Sequence, residues 1–386
     1  MTQKQIAVLG STGSIGVQTL DIIAEYPQLF KATVLVAGQN VERLIQQAVK
    51  FRPSTAIIAD DSKYNILKEA LEPLGVATAA GPKAIEDIME SPSIDTVVTA
   101  TVGYSGLAPT IRAIKANKNI ALANKETLVV AGELITQLLK TSSSEVRPVD
   151  SEHSALFQCL VGESHDAIRR LIITASGGPF RTKSAAELSK VTVKDALSHP
   201  NWDMGAKITI DSATMLNKAF EIIEARWLFD VQPENITAVV HPQSIVHSMV
   251  EFKDGSVKAQ LGLPDMHLPI RYALGDSSRL ATDSRGLTLA DYANLQFFEP
   301  DTEKFPLLNL AYYALEKGGN TACVINAANE IAVAAFLSEK IGFLDIEKVI
   351  MNSLRHINYI TNPSYEDYVS TNSETRAYAE SLINKF

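Results

Sequence analysis

The 386-residue sequence predicts an α/β protein in three parts: an N-terminal parallel sheet, a second α/β portion carrying a mobile loop, and a helical C-terminal portion. Three observations predict it. Short apolar runs at residues 6–9, 33–36, 56–59, 96–100 and 120–123 alternate with helical stretches, at intervals suited to right-handed βαβ crossovers. Residues 237–240, 245–252 and 257–261 alternate apolar and polar side chains, as strands do in a sheet with one covered face. Residues 307–386 carry helical periodicity, as in 327–336, and no chemistry of their own. The length exceeds what one core organises, so two or three domains are expected.

Composition excludes several classes of function. A net charge of −9 and a pI near 5.4 argue against a general nucleic-acid-binding surface. Met1-Thr2-Gln3-Lys4-Gln5 leads straight into an apolar strand too brief for a signal or membrane-spanning segment, so a cytoplasmic protein is expected. Cys159 and Cys323 are the only cysteines, far apart and in apolar helical contexts, which predicts core residues and no disulfide or thiolate metal site.

The first strand runs into Gly10-Ser11-Thr12-Gly13-Ser14-Ile15-Gly16 and then a helix through Leu20, Ile22 and Ile23. Strand, glycines and helix in this order put backbone N–H groups and a positive helix end where a pyrophosphate can sit, the outline of a Rossmann-like dinucleotide site. An ordinary βα turn is the alternative, and the G-x-x-G-x-x-G spacing is a variant of the usual one. The second strand ends in Ala37-Gly38-Gln39-Asn40, where a carboxylate for the ribose 2′-hydroxyl is missing, and Arg43 follows. That absence favours NADPH over NADH. After the strand at 120–123 comes Asn124-Lys125-Glu126-Thr127, which puts Lys125 at the ligand-binding end of the sheet unless it is merely solubilising. Thr141-Ser142-Ser143-Ser144-Glu145 reads as a hinge or domain edge.

Val149-Asp150-Ser151-Glu152-His153 opens the second portion. On an extended backbone Asp150 and Glu152 would face one spot, and two close carboxylates need a proton, a cation or a metal between them. Oxygen-only ligation would favour Mg²⁺ or Mn²⁺. A solvated acidic turn is the bland reading. Residues 172–175 form a strand opening into Ser176-Gly177-Gly178-Pro179-Phe180, either a plain turn or a cradle in which N–H groups and a hydroxyl converge on an anion. His199-Pro200-Asn201-Trp202-Asp203-Met204-Gly205 reads as a lid, mobile without substrate and closed with it, or as a loop holding a partly buried aromatic anchor. A helix beginning near Ser212 or Ala213 would put Asn217 and Glu221 on one face with Lys218 nearby and Glu224 a turn further. That set suits a phosphate and an ion, or is a surface Lys218–Glu221 pair.

The sequence resembles the 1-deoxy-D-xylulose 5-phosphate reductoisomerase family over essentially its whole length. The resemblance is carried by residues 10–16, 123–126, 148–153, 176–181, 199–205 and 211–218. It implies an NADPH- and divalent-metal-dependent enzyme that isomerises and reduces a sugar phosphate, 1-deoxy-D-xylulose 5-phosphate, to 2-C-methyl-D-erythritol 4-phosphate for isoprenoid precursor synthesis. By the resemblance Asp150, Glu152 and Glu221 ligate the ion. Ser176, Ser212, Asn217 and Lys218 hold the substrate phosphate, Lys125, Ser151 and His199 contact the substrate, and Trp202 and Met204 cover it. Cofactor contacts are implied for Gly10, Ser11, Thr12, Gly13, Ser14, Ile15, Gly38, Gln39, Asn40, Asn124, Lys125, Glu126, Gly205 and Met266, and His247 is placed near the active site. Many relatives carry a basic residue where Gln39 stands, so the resemblance carries the 2′-phosphate contact over less directly than the rest. The expected domains are an NADPH-binding Rossmann-like domain at 1–149, a catalytic α/β domain with the lid at 150–275, a connector at 276–306 and a C-terminal helical domain at 307–386. The family is typically a homodimer.

Two rivals remain. A semialdehyde dehydrogenase would need an activated cysteine, and neither cysteine has a polar setting. A cofactor-sensing protein without turnover would bind NADPH with no metal-dependent oxidation.

Overall fold

Strand β1 (Lys4–Leu9) is buried along its last four residues, as a central parallel strand must be. In the computed structural model, which describes residues 3–202 and 204–385, it pairs in parallel with both β2 (Phe30–Ala37) and β5 (Thr96–Thr99). Met1, Thr2, Phe386 and Asp203 of the expected lid lie outside the described residues. With β3 (Thr55–Ile58), β4 (Ala77–Ala80), β6 (Asn119–Leu122) and β7 (Val146–Pro148) the sheet reads β4-β3-β2-β1-β5-β6-β7, all parallel. Its order reverses beside β1, so the crevice of an open α/β sheet lies where β1 ends, at Gly10. Strands β4 and β7 were not expected. The first is built of Ala and Thr and the second is three residues long, so neither has an apolar run to betray it.

The chain packs as two compact units. One comprises Met1–Thr127, Ile135–Ser154 and Asp265–Thr282, and the other Leu128–Leu134, Ala155–Pro264 and Asp283–Phe386. Residues 265–275, the end of the expected 150–275 division, contain a helix, His267–Leu274. Its Ile270, Ala273 and Leu274 are buried in the core of the first unit with Ile6, Val8 and Val149. Lys4 and Arg147 both reach Asp276 just beyond it.

The second unit holds a sheet ordered β11-β10-β8-β9, from β8 (Ile168–Ala175), β9 (Ile236–Val240), β10 (Val246–Phe252) and β11 (Val257–Leu261). Only β8 and β9 are parallel. Strand β10 is buried at six of seven positions rather than on alternate ones, because it is central and covered on both faces. The C-terminal portion is helical, with Leu310–Lys317, Thr321–Leu337, Asp345–His356 and Tyr365–Ile383. No helix among the described residues is long and apolar enough to cross a membrane.

Two local expectations are corrected. Residues 150–152 are not extended: a helix, Ser151–Leu160, starts there, and the Asp150 carbonyl accepts its first bond from Ser154 N–H at 2.8 Å. Acidic groups at a helix N-terminus are favoured by the exposed N–H groups, and Pro148 ends the preceding strand. The second helix does not begin at Ser212. Helix Ala206–Ala213 stops, Met215 turns through φ 63°, and helix Leu216–Phe229 starts afresh. Ser212 therefore closes one helix while Asn217 and Lys218 open the next.

Candidate active site

In the first unit, the glycine turn follows from steric necessity. Gly10 has φ +79°, and a Cβ there would lie 2.4 Å from the Ala100 carbonyl oxygen. A Cβ on Gly16 would lie 2.2 Å from the Gly10 carbonyl oxygen, so helix and strand approach as closely as two backbones can. Ser11 is buried, its hydroxyl donating to Gln47 Oε1 and its carbonyl accepting from Gln47 Nε2, both at 2.8 Å. The helix that follows, Ser14–Glu25, has no side-chain cap and no acidic residue in its first turn. Its first intrahelical bond is Val17 N–H to Gly13, so the N–H groups of Ser14, Ile15 and Gly16 form no bond inside the helix. Thr12 is half-buried and Gly13 and Ser14 are exposed. Open N–H groups at a helix start can cradle a pyrophosphate.

At the end of β2, Gly38, Gln39 and Asn40 are exposed, and Asn40 caps the helix Val41–Phe51 by accepting from Arg43 N–H at 3.0 Å. Asn124 is buried: its amide donates to Thr101 O, Gly103 O and Glu126 Oε2. Beside it the buried Lys125 ammonium pairs with Asp150, and the fully buried His153 imidazole lies 3.8 Å from the same carboxylate. Ser151 donates its hydroxyl proton to Glu152. Met266 packs against the core of this unit.

In the second unit, Gly177 and Gly178 take φ +83° and +67°, and Gly178 presses on the Ser212 carbonyl so closely that a Cβ would lie 2.7 Å from it. The turn after β8 is thereby held against the end of the helix Ala206–Ala213. His199 Nδ1 accepts the N–H groups of Asn201 and Trp202 at 3.2 and 3.0 Å, so in the neutral ring Nε2 carries the proton. Nε2 lies 2.9 Å from Ser176 Oγ, which also accepts from Gly178 N–H at 3.2 Å. With two donors on its oxygen, the Ser176 hydroxyl has its own proton to offer an anion. Lys218 and Glu221 are both almost completely buried and paired, and Asn217 donates to the other oxygen of Glu221 at 2.5 Å. Met204 is half-buried, and Gly205 caps the helix Ala206–Ala213. Trp202 faces His247 with ring centroids 6.1 Å apart.

Two residues here were missed from sequence. Asn201 anchors the expected lid, donating from Nδ2 to Pro242 O at 2.6 Å and to Ser244 Oγ at 2.8 Å. His241 shapes the turn that receives Asn201, with Nδ1 on Gln296 O at 2.9 Å and Nε2 accepting the N–H groups of Ile245 and Val246. A loop amide and a lone histidine give no periodic signal. Burial holds the His241 pKa below its ordinary 6.5, against the opposing bond to Gln296. The native state therefore binds fewer protons than the unfolded state once pH drops below 6.5. Stability from this group is full above that value and is lost as pH falls, by at most about 1.4 kcal/mol per unit. Urea midpoints between pH 7.5 and 5.5 should fall in the wild type and fall less in His241→Gln; parallel curves would remove the assignment.

Neither cysteine is activated. Burial pushes the Cys159 thiol up to about 11 and raises that of Cys323 further, which excludes the thiolate a semialdehyde dehydrogenase needs.

A parallel sheet ending in an open glycine turn, joined in one chain to carboxylates paired with buried lysines, defines a dinucleotide-dependent oxidoreductase. Family models for 1-deoxy-D-xylulose 5-phosphate reductoisomerase match residues 6–132, and models for its C-terminal domains match residues 146–229 and 261–378. The chain belongs to the 1-deoxy-D-xylulose 5-phosphate reductoisomerase family. It is 54% identical to the reductoisomerase of Bacteroides fragilis over 99% of both chains, and 50% identical to that of Chlorobaculum tepidum over 98% of this chain and 100% of the other. Among solved structures it is similar to the Zymomonas mobilis reductoisomerase in complex with NADPH, with a TM-score of 0.93, 44% identity and full coverage of both chains. A second similar structure is a DOX-P reductoisomerase in complex with NADPH, fosmidomycin and magnesium, with a TM-score of 0.94, 38% identity and coverage of 99% and 98%.

Proposed function

We infer that this chain is an NADPH- and divalent-metal-dependent reductoisomerase that converts 1-deoxy-D-xylulose 5-phosphate to 2-C-methyl-D-erythritol 4-phosphate, in isoprenoid precursor synthesis. The observation that carries the reading is the donor set at the start of the helix Ser151–Leu160. Asp150 and Glu152 are carboxylates held by a lysine and a serine of the same cluster. Carboxylates shielded from water need compensating charge, and Lys125 on the half-buried Asp150 and Lys218 on the buried Glu221 supply it. An oxygen-only set of this kind fits a hard divalent ion, so Asp150, Glu152 and Glu221 would hold one. Such an ion acidifies a bound hydroxyl and polarises the adjacent carbonyl, which an α-ketol rearrangement requires, and NADPH supplies the hydride for the aldehyde that results.

The protein's own residues bind, orient and exclude water. Ser176, Ser212, Asn217 and Lys218 would take the phosphate. Binding energy from that remote group holds the reacting end beside Lys125, Ser151 and Glu152, so losing it should damage turnover as well as affinity. Gly10 to Ile15 receive the cofactor pyrophosphate, with Gly38, Gln39, Asn40, Asn124, Glu126, Gly205 and Met266 as further cofactor contacts. We retain 1–149, 150–275, 276–306 and 307–386 as functional divisions, and read the protein as a cytoplasmic homodimer. Light scattering at twice 41.9 kDa would support the dimer, and the single mass would exclude it.

The deciding experiment follows absorbance at the reduced-nicotinamide band with 1-deoxy-D-xylulose 5-phosphate, with and without Mn²⁺ or Mg²⁺. Metal-dependent NADPH oxidation supports the enzyme, and NADPH binding without oxidation supports a sensor. Gln39→Arg is expected to raise the preference for NADPH over NADH by adding a cation near the 2′-phosphate; an unchanged ratio of the two KM values would put Gln39 away from it. Closure of the lid at 198–205 should follow the phosphate, because ordering a loop costs about 1 to 2 kcal/mol per residue that ligand contacts must offset. In a Trp227→Phe background, Trp202 fluorescence should change with a phosphate-bearing analogue and metal and change much less with the dephosphorylated sugar. Equal responses would mean that the loop does not read the phosphate.

A further inference from the structure

Helix Thr321–Leu337 of the C-terminal portion carries a group that reaches the helix leading into the Met215 turn. Asn329 is fully buried and donates from Nδ2 to Asp211 Oδ1 at 2.8 Å. The other oxygen of Asp211, itself 1% exposed, pairs with Lys207 at 2.9 Å, and the Lys207 ammonium lies 5.4 Å from the Phe220 ring centre. Asp211 and Lys207 belong to the helix before the Met215 turn and Phe220 to the helix after it. The Asp211 carbonyl also accepts the Thr214 hydroxyl at 3.1 Å, and Thr214 Oγ1 accepts Leu216 N–H at 3.3 Å. Asp211 is thus bonded, through one hydroxyl, to the first residue of the helix that presents Asn217 and Lys218.

We propose that Asn329 is a positioning residue for substrate phosphate, acting through the buried Asp211 carboxylate on the turn that joins Ser212 to Asn217 and Lys218. A buried carboxylate must be fully bonded or it rotates towards another donor. Asn329 supplies a neutral donor on one oxygen while Lys207 supplies the charge on the other, so the carboxylate plane is set by both helices. Met215 holds a left-handed conformation that costs a non-glycine residue free energy and persists only where its surroundings impose it. Its N–H donates to Ser212 O at 3.2 Å, and the Thr214 hydroxyl ties the Asp211 main-chain carbonyl to Leu216 across it. The inference rests on the reading that Ser212, Asn217 and Lys218 bind the phosphate.

The test is the steady-state kinetics of the metal-loaded full chain. Asn329→Asp sets a second carboxylate against Asp211 and should raise the KM for the sugar phosphate on the order of tenfold, leaving the KM for NADPH within about twofold. The exchange variant Asp211→Asn with Asn329→Asp restores one amide, one carboxylate and one ammonium in the same row, and should bring the sugar-phosphate KM back towards the wild type. If Asn329→Asp does not fold, Asn329→Ser takes its place with the same expectations. Unchanged sugar-phosphate KM in the single variants, equal rises in both KM values with a lowered melting temperature, or no recovery in the exchange variant would each overturn the proposal. Lys218→Ala runs alongside. If it leaves the sugar-phosphate KM unaltered, the phosphate assignment fails; if it raises that KM and the Asn329 variants do not, only the positioning role fails.

Discussion

Glu221→Gln, Asp150→Asn and Glu152→Gln are each expected to lower kcat on the order of 10³-fold, because on the proposed reading each would remove an anionic ligand from a hard cation. Loss of one charged ligand withdraws several kcal/mol from a transition state that depends on Lewis-acid polarisation, and about 1.4 kcal/mol is a factor of ten. The three should differ in stability. In Glu221→Gln the buried Lys218 loses its counter-charge, and in Asp150→Asn the buried Lys125 does, which costs about 3 to 5 kcal/mol when a buried pair is broken. Glu152 is only half-buried and takes a bond from Ser151, so Glu152→Gln should lose activity with little change in melting temperature. Metal titrations of the residual NADPH oxidation make the measurement. Wild-type activity in excess chelator would sink the metal reading for all three.

Gly16→Ala should abolish productive NADPH binding, by on the order of 100-fold or more in Kd, while the sheet still folds. The added Cβ would sit 2.2 Å from Gly10 O and 2.6 Å from Ser11 Cα, both backbone atoms, so no side chain can move aside. Relief requires the helix Ser14–Glu25 to retreat from the turn, which takes its open N–H groups out of position for the pyrophosphate. Overpacking of this kind costs about 1 to 3 kcal/mol, and the lost N–H contacts to a charged ligand add to it. Reduced-nicotinamide fluorescence measures the affinity, and circular dichroism checks the fold. Wild-type affinity in a folded variant would show that the cofactor phosphates lie elsewhere.

What could be read from the chain alone was whatever is encoded within one or two turns of backbone. The strand–glycine–helix unit at 6–25 was legible because its apolar run, its glycines and its helix repeat are adjacent in sequence. Strands β8 to β11 were legible for the same reason, since β-branched and apolar runs announce a strand. The place of Lys125 at a strand end, facing the crevice of a parallel sheet, was legible; its pairing with Asp150 was not. The backbone at Asp150-Ser151-Glu152 was misread: the sequence names both carboxylates, but whether they begin a helix or continue a strand depends on the Pro148 strand end and on what the helix packs against.

The sequence by itself determined the parallel N-terminal sheet, where the carboxylates and hydroxyls proposed as ligands stand in the chain, and the family. Each of these rests on side-chain chemistry and short-range periodicity. Only the tertiary structure decided the break at Met215, where a non-glycine residue turns left-handed with no local signal, and the helix at 267–274 that returns to the first core. It alone decided the partners of the buried polar groups, Asp211 with Asn329 across 118 positions and Asn201 with Ser244 across 43. The reason is physical: a buried polar group must be bonded, but the protein interior sets only that a partner exists, and which residue supplies it follows from how distant helices and loops come to lie side by side.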